Sequence, residues 1–338
     1  MKAAVLKDKN IFEIEDIPMP ELDGKGALIR IIGCGLCGSD IVKIKTAKVK
    51  EGSVLGHEIV GIIEQINTET DFKVGDKVVL GHHVPCFNCE FCRGESFSMC
   101  KTFKKTNIKP GGFCEYLRIS EAHLKHTVCK VPDSMSDIVA SFTEPLACCI
   151  RAIKRAEIKK DDSVLIIGLG SIGLLMGQAA KSYGAKVIGC DILQDRISMG
   201  KKLGFDETIL YQSNETTSEL LKKKMNTPSG IDKAILTAGN DNSIPFALKS
   251  IRDGGAIIIF ASIKSNDKGF SNNEIYYREL SVKGSYSPSP CDIKESFSLL
   301  KDGKIKVEHI TEIYDLKDLN QAVSDFTNNK ILKAYIKI

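Results

Sequence analysis

The chain has 338 residues, 43% hydrophobic and 27% charged, a balance that suits a globular protein with an ample core and excludes a disordered one. Its net charge of +4 is spread without a dominant basic run, the densest being Lys222 to Lys224 on a helical stretch, which argues against a nucleic-acid-binding face. The opening MKAAVLKDKN lacks the apolar segment of an export signal, and no apolar run is long enough to span a bilayer. The expectation is therefore a cytoplasmic protein whose twelve cysteines stay reduced.

The length predicts about two domains. In the first, three short motifs bring together residue types that bind metals: CGLCGSD (34–40), LGHE (55–58) and TEPLACC (143–149). Cys37 offers a soft thiolate, His57 an imidazole, and Glu58 and Glu144 carboxylates. A catalytic zinc takes three such ligands and keeps one position open. Ser39 is read either as a proton acceptor beside Cys37 or as a helix cap, and Asp40 as a turn cap. His82 and His83 follow a strand-like run, a place from which they could reach a cleft, and are read as solvated or packing residues; Cys34 is read as strand packing.

Between Cys86 and Cys100 the sequence CFNCEFCRGESFSMC spaces four cysteines as C-x2-C-x2-C-x7-C. Four thiolates so close together suit one tetrahedral zinc. An iron–sulfur cluster is the rival, but its pattern places the fourth cysteine after three residues and before a proline. Here seven residues intervene and Lys101 follows. Cys114, Cys129, Cys148, Cys149, Cys190 and Cys291 are read as small buried apolar residues.

The middle of the chain changes character. The apolar run SVLII (163–167) predicts a buried parallel strand, GLGSIG follows at once, and LLMGQAAKSYG predicts a helix ending at Gly184. Gly168 permits the tight turn, Gly170 lets a pyrophosphate approach the backbone, and Gly173 lets helix and strand pack closely. The second strand, KVIGC, ends in Asp191, whose carboxylate suits ribose hydroxyls and repels a 2′-phosphate, favouring NAD over NADP. Arg196 either lies over the adenine or caps a helix surface. Further strand-like runs at 207–210, 233–239, 256–261 and 280–284 complete a six-stranded doubly wound sheet. Ile172, Phe260, Ala261 and Ser262 sit where such a sheet opens toward the cofactor.

Taken together, CGLCGSD, GHE, the four-cysteine lobe, TEP and GLGSIG resemble, in content and order, the zinc-dependent medium-chain dehydrogenase/reductase family, over nearly the whole chain. GHE and EPLACC look closest to its sorbitol (L-iditol 2-) dehydrogenase-like branch. The resemblance implies a doubly wound Rossmann domain (146–287) and a mainly β, GroES-like catalytic domain. The latter spans 1–145 with its zinc lobe at 86–100, and resumes at 288–338. It makes Cys37, His57 and Glu58 ligands of a catalytic zinc, and Glu144 an exchangeable ligand or a group orienting water. Cys86, Cys89, Cys92 and Cys100 become ligands of a structural zinc, for two Zn2+ per chain. The implied reaction moves a hydride from a secondary alcohol or polyol to NAD+, giving a ketone, in a homodimer or homotetramer. L-threonine 3-dehydrogenase and a simple secondary alcohol dehydrogenase are the related alternatives, and a noncatalytic nucleotide-binding zinc scaffold is the unrelated one. Two departures bear on chemistry. Val42 stands where many members carry a relay histidine, and Ser287 and Pro288 stand where sorbitol dehydrogenases carry an Arg-Tyr pair for polyol hydroxyls.

Overall fold

The computed structural model describes all residues except 8–10, 47–48, 240–241 and 262–269. Strands β1 (Lys2–Leu6) and β2 (Phe12–Asp16) form an antiparallel pair. β3 (Gly26–Gly35), an apolar run with Arg30 its one charged residue, is buried along most of its length and pairs with three neighbours. β4 (Glu58–Ile66) runs antiparallel on one side, followed outward by β5 (Lys77–Leu80); β6 (Tyr116–Ser120) also pairs with β3, and β7 (Val128–Lys130) pairs with β5. Ile29, Ile59, Ile63, Leu80, Phe113 and Leu117 pack into the core of this sheet at 1% exposure or less. The register sets Gly35 opposite Glu58.

The sequence then builds a second sheet from β8 (Ser163–Ile167), β9 (Lys186–Asp191), β10 (Glu207–Leu210), β11 (Ile231–Leu236), β12 (Ile251–Ile259) and β13 (Ser281–Gly284). All pairings are parallel and the spatial order is β10-β9-β8-β11-β12-β13, the doubly wound arrangement. Every residue of β8 is buried, as a parallel strand covered on both faces must be. β11 ends earlier than its apolar run suggests because Thr237 turns away: its N–H donates to the Ile167 carbonyl and its hydroxyl to that of Gly168. The helix after β8 stops at Ser182, and Gly184 follows with φ +83°.

β14 (Thr311–Asp315) and β15 (Lys333–Lys337) return to the first sheet, giving it the order β14-β15-β3-β4-β5-β7. The two compact units are Met1–Ala147 with Pro288–Ile338, and Cys148–Ser287. β15 lies antiparallel to β3, with Tyr335 opposite Gly35. The described cysteines are all free thiols. Cys114, Cys149 and Cys190 are buried, but Cys129 and Cys148 are only partly so. Cys291 departs from the reading as a core residue: it is exposed, on the first turn of helix Pro290–Lys301, whose buried side is formed by Ile293, Ser296 and Leu300. Among the described residues no helix is long and apolar enough to cross a membrane.

Candidate active site

Cys37 closes the loop after β3 and is the N-cap of helix Gly38–Lys45. Its sulfur accepts hydrogen bonds from the Ser39 N–H at 3.4 Å and the Ser39 hydroxyl at 3.2 Å. Ser39 therefore caps nothing; the cap is the cysteine, and the exposed hydroxyl lies beside its sulfur. Asp40 completes the capping box by accepting from the Cys37 N–H at 3.3 Å. Its other oxygen lies 3.4 Å from His57 Nδ1, fully buried. A carboxylate on one ring nitrogen orients the imidazole and leaves Nε2 to a ligand. Burial opposes charge on His57, but the anions Asp40 and Cys37 outweigh it and hold its pKa well above 6.5.

Glu58 enters β4 directly after His57 and is completely buried. The space it fills exists because Gly35 has no side chain: a Cβ there would stand 1.9 Å from Glu58 Oε2. Lys333, at the start of β15 and 3% exposed, forms an ion pair with that oxygen. Its ammonium also lies 5.7 Å over the Phe142 ring. Burial opposes the lysine's charge, but Glu58, Cys37 and Glu144 raise its pKa above the usual value.

One ligand atom each from Cys37, His57 and Glu58 lies within 4.8 Å of the others. Glu58 Oε1 is buried and has no hydrogen-bond partner among the described residues. An orphaned carboxylate oxygen beside a thiol and an oriented imidazole is the donor set of a zinc ion, and the residues fit one. Glu144 does not join that convergence; its Oε1 lies 3.6 Å from His82 Nδ1.

The four lobe cysteines converge separately. Cys89 and Cys92 sulfurs are 3.5 Å apart, Cys86 and Cys100 3.6 Å, and Cys86 and Cys92 3.9 Å. A tetrahedron with 2.3 Å zinc–sulfur bonds has edges of about 3.8 Å. The lobe is therefore sized for one ion. Burial works against ionising Cys100, but the backbone N–H groups of Cys86 and Phe103 bring its pKa down to about 6.

In the second unit, the phosphate turn has the geometry its glycines imply. Gly168 sits at φ +94°, a Cβ on Gly173 would meet the Gly168 carbonyl oxygen at 1.9 Å, and Gly170 has open space where its side chain would be. Asp191 accepts from the Leu169 N–H at 2.6 Å and the Leu193 N–H at 3.0 Å, and lies 3.5 Å from Arg196 Nη1. Asp191 and Arg196 line a cavity of about 240 Å³ with Gly168, Tyr211 and Phe246. Ile172 lies on the first turn of the helix that begins at Ser171. Phe260 and Ala261 follow β12 and donate their N–H groups to the Leu236 carbonyl at 3.1 Å; Ser262 lies outside the described residues.

Residues 23–133 match the alcohol dehydrogenase GroES-like domain family, and residues 171–302 match the zinc-binding dehydrogenase family. A zinc-type alcohol dehydrogenase-like protein of Haemophilus influenzae is 30% identical over 346 residues, covering 100% of this chain and 98% of its own. The chain belongs to the zinc-dependent medium-chain dehydrogenase/reductase family. It is an oxidoreductase with that family's GroES-like and Rossmann parts. The sorbitol dehydrogenase of Bacillus subtilis is 29% identical over 333 residues, covering 96% of this chain and 92% of its own. Among solved structures, galactitol-1-phosphate dehydrogenase from Escherichia coli superposes with a TM-score of 0.87 at 25% identity, covering 100% of both chains.

Three residues around the candidate ligand cluster have contacts that a reading of the sequence misses. Asp40 reads as a turn cap and is one, but it also orients His57. Lys333 carried a usable signal, a lysine opening the apolar alternation KAYIKI, yet its partner lies far away in sequence. His82 carried only its place just beyond a strand-like run, and nothing there pointed to Glu144.

Proposed function

We propose that this chain oxidises a secondary alcohol or polyol with NAD+, giving a ketone, NADH and a proton. The observation that carries this reading is the convergence of Cys37, His57 and Glu58 within 4.8 Å around a buried carboxylate oxygen with no hydrogen-bond partner. Zinc bound there supplies Lewis acidity to the substrate oxygen, and NAD+ accepts the hydride. Cys37 and Glu58 offset the ion's charge and thereby temper its acidity, while Lys333 moderates the Glu58 charge. Asp40 fixes the His57 ring. Ser39 takes the hydroxyl proton: its Oγ lies at the ligand cysteine and is open to solvent, so the proton can leave without a histidine at position 42, where Val42 is 50% exposed.

The polyol assignment draws on the sorbitol dehydrogenase of Bacillus subtilis and the galactitol-1-phosphate dehydrogenase of Escherichia coli. Ser287 and Pro288, replacing an Arg-Tyr pair, leave the preferred polyol open to test. NAD rather than NADP follows from Asp191, which is 6% exposed and would confront a 2′-phosphate with a buried anion. Cys86, Cys89, Cys92 and Cys100 hold a second, structural zinc. We also infer a cytoplasmic homodimer or homotetramer, a reading favoured by the exposed edge strand β13.

A kinetic panel of polyols, simple secondary alcohols and L-threonine, each with NAD and NADP, tests the substrate class. Cys37→Ser should abolish turnover, and full turnover in that variant would overturn the proposal. A noncatalytic scaffold would hold about one zinc per chain; the enzyme should hold about two.

A further inference from the structure

Three histidine rings and a phenylalanine run in contact from the ligand cluster to the core of the four-cysteine lobe. The ring centres of His57 and His82 are 4.7 Å apart, those of His82 and His83 4.1 Å, and those of His83 and Phe103 4.9 Å. Phe103 is 2% exposed and forms the buried cluster of the lobe with Cys92 and Cys100. It lies on helix Lys101–Lys105, whose N-cap is Cys100. The middle of the row is anchored at its edges. His83 Nδ1 contacts the carbonyl oxygen of Thr106, the C-cap of that helix, and Thr106 Oγ1 accepts from the Val84 N–H at 3.0 Å. The His82 carbonyl oxygen is 3.2 Å from His123 Nε2, and His123 Nδ1 is 2.8 Å from the Ser120 hydroxyl. Cys86 follows Val84 by two residues, so one short segment carries two rings of the row and the first lobe thiol. Asp40 steers the His57 ring through Nδ1, whereas His82 packs against the ring itself.

We propose that His83 is a positioning residue that couples the two metal sites. With the lobe closed around its ion, Phe103 and Thr106 hold His83, and His83 in turn holds His82 against His57. The proposal rests on reading both clusters, Cys37 with His57 and Glu58 and the four lobe cysteines, as zinc centres. Coupling needs an element with two states, and the lobe is one: so small a buried cluster closes only around metal. An empty lobe frees Phe103, and the row of rings loses its anchor at that end. The His57 ring then has more freedom to lose when metal binds, which lowers affinity at the Cys37 site. His83 is the member that touches the lobe twice, through its ring at Phe103 and through Nδ1 at Thr106. Coupling between two sites typically amounts to about fivefold or more in affinity.

The test uses the full-length, zinc-loaded protein and reads zinc affinity at the Cys37 site by competition with a chelator, a measurement independent of turnover. The competition step missing from Cys37→Ser identifies that site. Cys100→Ser empties the lobe and should weaken the Cys37 site by about fivefold or more. His83→Ala should weaken it to a similar extent while the lobe keeps its zinc. The double variant His83→Ala/Cys100→Ser should bind no more weakly than either single one, because the lobe has already lost its route to His57. His83→Phe, which keeps a ring between His82 and Phe103, should bind within about twofold of the unaltered protein. The His83→Ala and His83→Phe pair leaves the lobe cysteines intact, so that comparison stands even where Cys100→Ser does not fold. Unchanged affinity in Cys100→Ser or in His83→Ala, additive losses in the double variant, or equal weakness of His83→Phe and His83→Ala would overturn the proposal. About one zinc per chain in the unaltered protein would overturn the two-centre reading, and the proposal with it.

Discussion

Lys333 opens the final strand of the catalytic unit and pairs with Glu58, a carboxylate on the other side of β3, with both side chains almost sealed from water. A buried ion pair contributes little net stability, but losing one partner strands the other charge. Lys333→Met should therefore destabilise the protein by about 3–5 kcal/mol, read as a shift in denaturant midpoint. Lys333→Arg should recover much of that loss. Equal stability of the Met variant and the unaltered protein would show that Glu58 does not depend on this cation.

The four-cysteine lobe has almost no core of its own. Its buried apolar cluster consists of Cys92, Cys100 and Phe103, with Phe97 packed alongside. So small a cluster cannot order a loop, and in such segments metal-binding energy replaces core burial. Cys100→Ser should lose about one metal equivalent per chain. Limited proteolysis should then cut between residues 86 and 100, where the unaltered protein resists. Resistance in the variant would mean that the lobe holds its shape without metal.

On the proposed reading, Asp191 decides the nucleotide by charge. Asp191→Asn keeps an oxygen for the Leu169 N–H, which the carboxylate now satisfies at 2.6 Å, while removing the repulsion toward a 2′-phosphate. The ratio of kcat/KM for NADP to that for NAD should rise by about tenfold or more, equivalent to about 1.4 kcal/mol. An unchanged ratio would move the discrimination elsewhere, with Arg196 the first candidate.

His83 gives a pH prediction with a definite sign. Burial pushes its imidazole down from 6.5 to about 4, although the Thr106 carbonyl at Nδ1 pulls the other way and charge on His57 adds to the depression. Below pH 6.5 the unfolded chain takes up a proton that the folded protein refuses until about pH 4. The unfolded state thus binds more protons in that window, so stability falls as pH drops through it, by roughly 3 kcal/mol for this group. Denaturant midpoints across that range should fall more steeply for the unaltered protein than for His83→Gln. Parallel curves would remove His83 from the acid response.

Much of the nucleotide-binding unit was legible because its signals are local. A buried strand, three glycines and a terminal acid lie within consecutive residues, and the strand runs after them became β9 to β13 with end shifts of a few residues. The convergence of Cys37, His57 and Glu58 was legible only because their motifs occur together and resemble a known set. The charges around them were not legible. Asp40 could be read no further than its own turn, because His57 lies in a separate motif of the sequence and meets it only in the folded chain. The partner of Lys333 is set by the β15–β3–β4 register, with Tyr335 and Glu58 both opposite Gly35. Cys291 misled for the complementary reason: a cysteine usually packs inside, but helix phase turned this one outward.

The place of β15 in the first sheet also dictates an order of maturation. The strand that carries Lys333 comes only after the whole nucleotide-binding unit in sequence, yet pairs with β3 near the beginning. Contacts between such distant segments form late, because a long intervening chain must close first. During refolding, nucleotide binding should therefore recover before alcohol oxidation. In that interval the protein would be a dinucleotide binder whose metal centre still lacks the cation that balances Glu58.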